Sequence, residues 1–258
     1  MDLGISGRKA LVCGGSSGLG RAIAEALVAD GVEVTLVARD TAKLEATAGE
    51  MRSRGGIVHT VSVDLAKRDE RTRLLPLCAE LDILINNSGG PPVGDYLSFS
   101  SEDWLAALEG NMLSAIELIN ASLPGMKERR FGRILNVTSH MVKAPIAMLS
   151  LSNGARAGLT GYVGGVARDV ARHNVTINNL LPGQFATARL ESNHARFAAA
   201  RGVSVEEFQS RSKQDIPARR FGEPQEFGAY AAFLCSAHSG FVTGQNILLD
   251  GGQYPGLV

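Results

Sequence analysis

A segment near the N-terminus combines the residue types and the spacing that a bound phosphate group requires. The apolar run at residues 9–13 is followed by three spaced glycines and then by a helical pattern. Glycine permits a positive φ and lets a phosphate approach the backbone without meeting a Cβ, and the next helix would direct its free N–H groups at that phosphate. A turn that only joins a strand to a helix is the alternative. We predict a dinucleotide-binding turn that includes Gly14, Ser16, Ser17, Gly18, Leu19 and Gly20.

The end of the second apolar run holds the residues that would meet the adenosine ribose of such a dinucleotide. A carboxylate at this point accepts from the ribose 2′-hydroxyl and favours NAD, whereas an arginine pairs with a 2′-phosphate and favours NADP. The chain has Ala38, then Arg39, then Asp40. We predict NADP(H), with Arg39 as the phosphate partner. An exposed charge at the start of a helix is the alternative for Arg39.

Seven short apolar runs, which alternate with longer amphipathic segments, supply the elements that must position this turn. The runs are residues 9–13, 32–37, 57–63, 82–86, 133–137, 175–180 and 246–249. Segments with helical spacing lie between them, as at residues 19–29 and 104–126. This alternation predicts an α/β fold with a Rossmann-type, doubly wound, seven-stranded parallel sheet, in a single domain over residues 1–258.

Residues 187–217 depart from the alternation of strands and helices. We expect one or two short helices here, inserted after a strand. Insertions at this point of an α/β sheet usually cover the ligand crevice, so we predict a substrate-covering segment. The loops at residues 90–92 and 141–148 would complete the pocket, and their apolar residues favour a moderately hydrophobic ligand.

The composition argues against several other classes of protein. The chain has 26 basic and 26 acidic residues, so its formal net charge is zero and no surface for nucleic acid is expected. No apolar stretch approaches the ~18 residues that span a bilayer, and the N-terminus lacks the apolar core of a signal peptide. We expect a cytoplasmic protein. Cys13, Cys78 and Cys235 are too widely spaced to predict a disulfide framework or a metal site.

Further short motifs follow the glycine turn along the chain. They are Asp64-Leu65, Asn86-Asn87-Ser88-Gly89, Asn111, Asn136-Val137-Thr138-Ser139, Pro182-Gly183 with Thr187, residues 220–224 (RFGEP), and residues 243–252. In this order the motifs resemble those of the short-chain dehydrogenase/reductase family over nearly the whole chain. Within that family the nearest resemblance is to the 3-oxoacyl-carrier-protein reductases. Cys13 stands where the glycine motif of the family has a threonine.

The resemblance implies roles for these motifs. Beside the glycine turn, it implies that the cofactor contacts Asp64, Leu65, Asn87, Ser88, Gly89, Pro182, Gly183 and Thr187. It implies that Asn111 and Ser139 are catalytic in the interconversion of a carbonyl and an alcohol, with a 3-oxoacyl thioester or another apolar ketone as substrate. It also implies a homodimer or homotetramer, because family members associate through the helices that would contain Asn111 and residues 152–156 and through the C-terminal strand.

One motif departs from the pattern of the family. Family members have a tyrosine about a dozen residues after the serine and a lysine four residues later, on the same face of a helix. This chain has Ser152 thirteen residues after Ser139, and Arg156 four residues later, within a segment similar to the S-K-A-G-L of the family. We place Ser152 at the position of the tyrosine and Arg156 at the position of the lysine.

The two exchanges have different chemical consequences. Ser152 is a much weaker acid than tyrosine, and its side chain ends ~4–5 Å short of a tyrosine oxygen, so it would act at most by holding a water. Arg156 keeps the positive charge and can bond the nicotinamide ribose, but it is a poor proton relay because it is almost never deprotonated. His140 titrates in a suitable range, although a histidine outside the crevice is the alternative. Weaker candidates for the proton donor are Tyr96, Tyr162, His194 and Tyr254.

Three functions are compatible with the sequence. The first is an NADP(H)-dependent reductase or dehydrogenase with an atypical proton donor, which Asn111 and Ser139 favour. The second is an NADP(H)-binding protein without redox turnover, such as a sensor or scaffold. The third is a lyase or isomerase that uses the same cleft. The pair of Ser152 and Arg156 favours the last two.

Overall fold

Seven parallel strands form the central sheet of the computed structural model, which describes residues 1–257. The strands are β1 Lys9–Cys13, β2 Glu33–Ala38, β3 Val58–Ser62, β4 Ile83–Asn86, β5 Gly132–Val137, β6 Val175–Pro182 and β7 Asn246–Leu249. Their order in the sheet is β3-β2-β1-β4-β5-β6-β7, and every neighbouring pair is parallel. The predicted Rossmann-type, doubly wound, seven-stranded sheet is confirmed.

The helices connect the strands and cover both faces of the sheet. They are α1 Gly18–Ala29, α2 Thr41–Arg52, α3 Arg68–Arg71, α4 Leu75–Cys78, α5 Ser101–Leu108, α6 Ser114–Arg129, α7 Ser150–Val170, α8 Ala188–Arg201, α9 Val205–Asp215 and α10 Pro224–Leu234. Two of these helices, α8 and α9, occupy the segment at residues 187–217, for which the sequence predicts one or two helices. Within residues 1–257, no helix is both long and apolar enough to cross a membrane.

The inner strands are largely apolar because helices cover the sheet on both sides, whereas β3, at the edge of the sheet, has the sequence VHTVS. In β1, Val12 belongs to a core that also contains Phe227 of α10, whereas its neighbour Leu11 belongs to a core on the other face with Val163 of α7. Helix α10 packs closely on α1, since a Cβ added to Gly228 would meet the backbone of Ala22. The alternation of side chains along each strand thus divides the core into two layers.

Residues 104–126 differ from the single helical segment that their spacing indicated. Helix α5 is followed by a π turn, Glu109–Leu113, and only then by α6. Such turns contain one residue more than the α-helical repeat and are frequent at functional sites. This turn contains Asn111, which it holds at the edge of the crevice described below.

A buried arginine holds the π turn against the loop that follows β3. The side chain of Arg71 is fully buried. It donates to Glu117 at 2.8 Å and to the carbonyl oxygen of Leu65 at 2.6 Å, and it forms an ion pair with Glu109 at the start of the π turn. A buried charge is tolerated when it is paired and hydrogen-bonded in this way.

Four asparagine side chains form a ladder across the sheet near the ends of the strands. Asn86 donates to Asn136 at 2.9 Å, Asn136 donates to Asn179 at 3.0 Å, and Asn179 donates to Asn246 at 2.8 Å. The ladder runs across β4, β5, β6 and β7, whose register places these residues side by side. It therefore fixes the lateral positions of the strand ends from which the candidate site is built.

Candidate active site

The glycine turn and the loop after β4 approach each other so closely that no side chain fits between them. A Cβ added to Gly14 would lie 2.6 Å from Nδ2 of Asn87, and one added to Gly20 would lie 2.8 Å from the same atom. Gly14 and Gly18 also have positive φ values of 63° and 54°, which glycine adopts without strain. The turn residues predicted from the sequence therefore lie together with Asn87.

The first turn of α1 is open to an anion. Its N-cap residue, Ser17, makes no capping hydrogen bond, and the first turn holds no acidic residue. The N–H groups at this end are left for a ligand, and the helix dipole favours a negative one. Ser16 is buried, and its carbonyl accepts from the Thr47 hydroxyl at 3.2 Å. Leu19 packs against the core. The uncapped turn fits the pyrophosphate of a dinucleotide.

The residues at the end of β2 also fit a nucleotide. Asp40 caps α2 by accepting from the backbone N–H of Lys43 at 3.0 Å, so its carboxylate is engaged within the protein. Arg39 is exposed, and it forms no ion pair with any residue in the described part of the chain. After β3, Asp64 accepts from the N–H of Ala66 at 3.0 Å, and the neighbouring Leu65 is held by Arg71.

A hydrogen bond joins the loop after β4 to the π turn. The hydroxyl of Ser88 donates to Oδ1 of Asn111 at 3.1 Å, and Nδ2 of Asn111 donates to the carbonyl of Ala107 at 3.3 Å. Asn111 is 8% exposed. The space beside Gly89 is open, since a Cβ added there would meet nothing within 4 Å.

Ser139 follows β5, and Ser152 lies in the first turn of α7. The Oγ of Ser139 accepts from the N–H of Met141 at 3.1 Å, so its own hydroxyl proton is left to donate. Ser152 is half-buried, and its hydroxyl makes no hydrogen bond with residues 1–257. Neither side chain is thus committed as a donor within the protein.

Arg156 lies one helical turn after Ser152 and is 9% exposed. Its Nη1 donates to the carbonyl oxygen of Val137 at 2.9 Å and also to that of Thr138. Its Nε is buried without a hydrogen-bond partner. Burial, and secondly the charge of Arg189, lower the pKa of Arg156 to about 10. The guanidinium therefore stays positively charged at neutral pH.

A small cavity connects Arg156 with the loop after β4 and the π turn, whereas Ser139 and Ser152 are not part of its walls. It has a volume of about 20 Å³, and its walls include Asn87, Ser88, Asn111, Thr138 and Arg156. This is the size of a single water molecule. Residues from the carboxyl ends of β4 and β5, from the π turn and from α7 therefore meet at one point, beside the loop that contacts the glycine turn.

The connection from β6 to α8 closes the other side of the crevice. A Cβ added to Gly183 would lie 2.8 Å from the Cα of Asp250, so only glycine fits after Pro182. Thr187 caps α8 by accepting from the N–H of Leu190 at 3.3 Å. Its methyl carbon faces the glycine turn, 3.5 Å from a Cβ placed on Gly18.

His140 and His194 form hydrogen bonds outside the cavity walls. The Nδ1 of His140 donates to the carbonyl of Pro182 at 2.9 Å, and burial lowers the pKa of His140, so its ring is neutral at pH 7. The Nε2 of His194 pairs with Gln184 at 3.0 Å, and the ring packs against Phe208 and Phe221. Neither arrangement provides a charged proton donor at the cavity.

The tyrosines considered from the sequence also lie outside the cavity walls. Tyr162 donates to Asn120 at 2.7 Å, and Tyr96 is 56% exposed. Tyr254 is held through its backbone N–H by Asp250 at 2.8 Å. The cavity therefore has no phenol in its walls.

Sequence reasoning missed Arg189 in the first turn of α8. Its Nη2 donates to the carbonyl oxygens of Gly90 at 3.3 Å and Pro91 at 3.4 Å. The only signal in the sequence was its place two residues after Thr187. The partners are backbone carbonyls almost a hundred residues away, and no motif connects the two segments.

Comparisons with known proteins agree with this geometry. A family profile described as short chain dehydrogenase matches residues 8–196. The 3-oxoacyl-[acyl-carrier-protein] reductase FabG of Aquifex aeolicus is 30% identical over 260 residues, which cover 98% of this chain and all of that protein. The NADPH-dependent reductase BacG of Bacillus subtilis is 28% identical, with 96% of this chain and 98% of that protein covered.

The chain is also similar to solved structures. The L-sorbose reductase of Gluconobacter frateurii, in complex with NADPH and L-sorbose, superposes with a TM-score of 0.93 and 28% identity over the full length of both chains. The chain belongs to the short-chain dehydrogenase family. It is accordingly an oxidoreductase that uses a nicotinamide cofactor.

We expect Gly20→Ala to weaken the binding of NADPH about tenfold or more, because the added methyl group displaces the Gly14 carbonyl and Asn87, and such overpacking costs about 1–3 kcal/mol. Fluorescence titration of NADPH measures the change. Gly49→Ala is the matched control, since a Cβ there meets nothing within 4 Å; it should leave binding unchanged and stabilise α2 by about 0.5–1 kcal/mol in urea unfolding. Equal binding by both variants would contradict the close approach.

Proposed function

We propose that the protein is an NADP(H)-dependent reductase or dehydrogenase of a carbonyl/alcohol pair. Its substrate is a moderately apolar ketone, for which a 3-oxoacyl thioester is one candidate. The observation that carries the proposal is that Asn87 lies against the glycine turn and also lines the cavity that contains Ser88, Asn111 and Arg156. The glycine turn that would bind the nucleotide and the candidate catalytic residues are therefore adjacent, with Asn87 in contact with both.

The preference for NADP(H) rests on the residues after β2. The Asp40 carboxylate is engaged in capping α2, so it does not compete for a ribose hydroxyl. The exposed Arg39 is then the charged group available to a 2′-phosphate, with which a guanidinium makes strong hydrogen bonds. BacG is named an NADPH-dependent reductase and the L-sorbose reductase was solved with NADPH, which supports the same choice.

The remaining cofactor contacts in the proposal come from the strand ends. The pyrophosphate lies at the start of α1, and the adenine and nicotinamide lie along the loops that follow β3, β4 and β6. The residues assigned to these contacts are Gly14, Ser16, Ser17, Gly18, Leu19, Gly20, Asp64, Leu65, Asn87, Ser88, Gly89, Pro182, Gly183 and Thr187. When bound, the cofactor supplies or accepts the hydride.

Ser139, which follows β5, and the cavity residues Asn111 and Arg156 would position and polarise the substrate carbonyl. We assign to Ser139 the donation of a hydrogen bond to the carbonyl oxygen, because its hydroxyl proton is not used by the protein. Asn111, fixed by Ser88 and by its own helix, would orient groups at the cavity. Arg156 would stabilise negative charge electrostatically, since its guanidinium stays protonated.

In this proposal Ser152 and Arg156 stand where other members of the family have tyrosine and lysine. Neither residue can serve as the general acid at neutral pH, because a serine hydroxyl is too weak an acid and an arginine holds its proton. We propose that a water at Ser152 delivers the proton. Without a well-placed general acid the rate would be lower by about 10²–10⁴.

The segment at residues 187–217 has a covering role in this proposal. Helices α8 and α9 follow directly after Thr187 at the end of the crevice, and Arg189 already joins α8 to the loop at Gly90 and Pro91. A bound ketone would lie between that loop and α8, close to Ser139.

One observation favours a second candidate function, a nicotinamide-binding sensor or scaffold without redox turnover. The cavity walls carry no tyrosine, and His140 is neutral at pH 7. A non-redox reaction in the same cleft, such as an isomerisation, would share this geometry. The experiment on turnover below separates these functions from the first.

The protein should oxidise NADPH with at least one compound in a panel of ketones and 3-oxoacyl thioesters. Ser139→Ala and Arg156→Ala should each slow the reaction, because they remove the hydrogen bond and the charge that polarise the carbonyl. The double variant Ser152→Tyr with Arg156→Lys should raise the rate by about 10²–10⁴, as it restores an acid and its partner. Stopped-flow absorbance at the NADPH band measures all four proteins. Tight NADPH binding with no oxidation across the panel would favour the sensor.

Arg39→Ala should raise the Kd of NADPH about tenfold or more and leave the Kd of NADH unchanged, because a charge-assisted pair with phosphate is worth about 1.5–3 kcal/mol. Isothermal titration of both cofactors measures the two constants. Arg54→Ala, another exposed arginine outside the turn, is the control for loss of one charge. An equal loss for NADPH and NADH would contradict the assignment of Arg39.

We further propose a homodimer or homotetramer in the cytoplasm that associates through α5 and α7. On α7, Gly161, Gly164 and Gly165 are exposed, and a Cβ added to any of them would meet nothing within 4 Å. On α5, Leu105 is 66% exposed. Such a face of small and apolar residues allows close contact with a second copy.

Light scattering on the purified protein should therefore give a mass of two or four chains. Gly161→Glu should shift it toward the monomer of 27.2 kDa, because it places a charge in the contact. Gly49→Glu on the exposed side of α2 should leave the mass unchanged. A monomer for the unaltered protein would refute the proposal.

A further inference from the structure

Two arginines from different elements converge on the loop after β4. A Cβ built on Gly90 would lie 3.2 Å from Nη2 of Arg189 and 3.8 Å from Nη2 of Arg156. Both distances are measured from the same Cβ position. The Nη2 atoms of Arg189 and Arg156 are therefore no farther apart than the sum of these two distances. Arg189 belongs to α8 and Arg156 to α7, so the pair bridges the two walls of the crevice at Gly90.

Neither guanidinium has a carboxylate partner among residues 1–257. Arg156 is more than nine-tenths buried and its Nε makes no hydrogen bond. The charges that act on these two groups are positive ones, Arg189 on Arg156 and Arg196 on Arg189, and each lowers the pKa of its neighbour after the larger effect of burial. Like charges thus face each other without neutralisation.

Arg189 is exposed to solvent, but Arg156 is buried, and buried cations in proteins are normally paired. Arg71, which is also buried, differs from Arg156 in that it forms ion pairs with two glutamates. The hydrogen bonds that Arg156 and Arg189 do make go to neutral backbone carbonyls, at Val137, Thr138, Gly90 and Pro91. In the part of the chain that the structure describes, the buried Arg156 therefore lacks a negatively charged partner, and the exposed Arg189 lies beside it with its charge likewise unpaired.

A carboxylate has the charge and the size to fill that place. Its two oxygens can accept from two guanidinium groups at once, at the ~2.7–2.9 Å of a charge-assisted hydrogen bond. Gly90 lies two residues after Ser88, which lines the candidate catalytic cavity. An anion held at Gly90 would consequently sit close to the reacting carbonyl.

We propose that Arg189 and Arg156 bind a carboxylate of the substrate, so that the ketone this protein reduces is an oxo acid. The inference rests on the proposed reductase function and narrows its substrate class. Arg189 is in this scheme the residue that determines specificity, since Arg156 already has a role at the cavity.

The test compares oxo acids with their neutral methyl esters as substrates. The pairs are 2-oxohexanoate and 3-oxohexanoate, each against its ester, with NADPH and the full-length protein. We expect kcat/KM for at least one acid to exceed that for its ester by about tenfold or more, as charge-assisted hydrogen bonds typically provide. Arg189→Met should reduce this acid-to-ester ratio about tenfold. Arg196→Met, which removes a charge from the same helix without contacting Gly90, should leave the ratio within twofold.

A preference for the esters, or an acid-to-ester ratio that Arg189→Met does not change, overturns the inference while the reductase function stands. If neither acids nor esters are reduced, the same four compounds are titrated into the protein saturated with NADP⁺. Tighter binding of an acid than of its ester, lost in Arg189→Met, then supports the anion site although the proposed reductase function has failed. Equal binding of acid and ester overturns the site.

The cofactor is the other source of an anion in this crevice. If the pyrophosphate of NADPH were the partner of Arg189, Arg189→Met would raise the Kd of NADPH about tenfold and leave the acid-to-ester ratio unchanged. That result overturns the inference. We expect instead that the Kd of NADPH changes less than twofold in this variant.

Discussion

The contact of Asn87 with Gly14 and Gly20 is the constraint on which the site depends. It lies where the sheet changes direction, because the chain leaves β1 toward β2 on one side and returns to β4 on the other. The amide of Asn87 fills the space that two Cβ atoms would need. The main chain of the turn is thereby pressed against the loop that follows β4. The uncapped start of α1 at Ser17 follows from the same geometry and provides an anion site that the protein itself does not neutralise.

The other half of the site depends on polar contacts between strand ends and helices. The asparagine ladder fixes β4, β5, β6 and β7 laterally, and Arg71 ties the π turn to the loop after β3. The hydrogen bond from Ser88 to Asn111 then joins strand end and π turn at the cavity. These contacts are buried or partly buried, which makes them costly to break. The positions of the candidate catalytic groups are consequently determined by the scaffold more than by flexible loops.

Most strands could be predicted from the sequence because both faces of a parallel sheet are covered, which makes the inner strands short apolar runs. The edge strand β3 was indicated instead by its alternation of apolar and polar residues. The ends of the strands were less certain, and β6 continues two residues beyond its predicted end to Pro182. The capping role of Asp40 had a signal, since aspartate before a helix is a common N-cap, but the same residue also fitted a ribose contact. The π turn could not be predicted from the sequence, because its hydrophobic spacing is close to that of an α-helix. The contacts that stabilise it come from Arg71, which lies far away in the sequence.

The chemistry of this crevice is limited by how its positive charge is arranged. Arg156 uses Nη1 for two backbone carbonyls at the end of β5, so it braces the strand end and presents only its remaining nitrogens. A lysine at this place could release and regain a proton, whereas an arginine with a pKa of about 10 does neither at neutral pH. Proton delivery and charge stabilisation are therefore separate tasks here. In the proposed reaction, the guanidinium groups at Gly90 would stabilise charge, and the proton would come from solvent along the half-buried hydroxyl of Ser152. A substrate whose own carboxylate pairs with these arginines would complete the charge balance and be oriented by it, which favours hydride transfer even where the acid is weak.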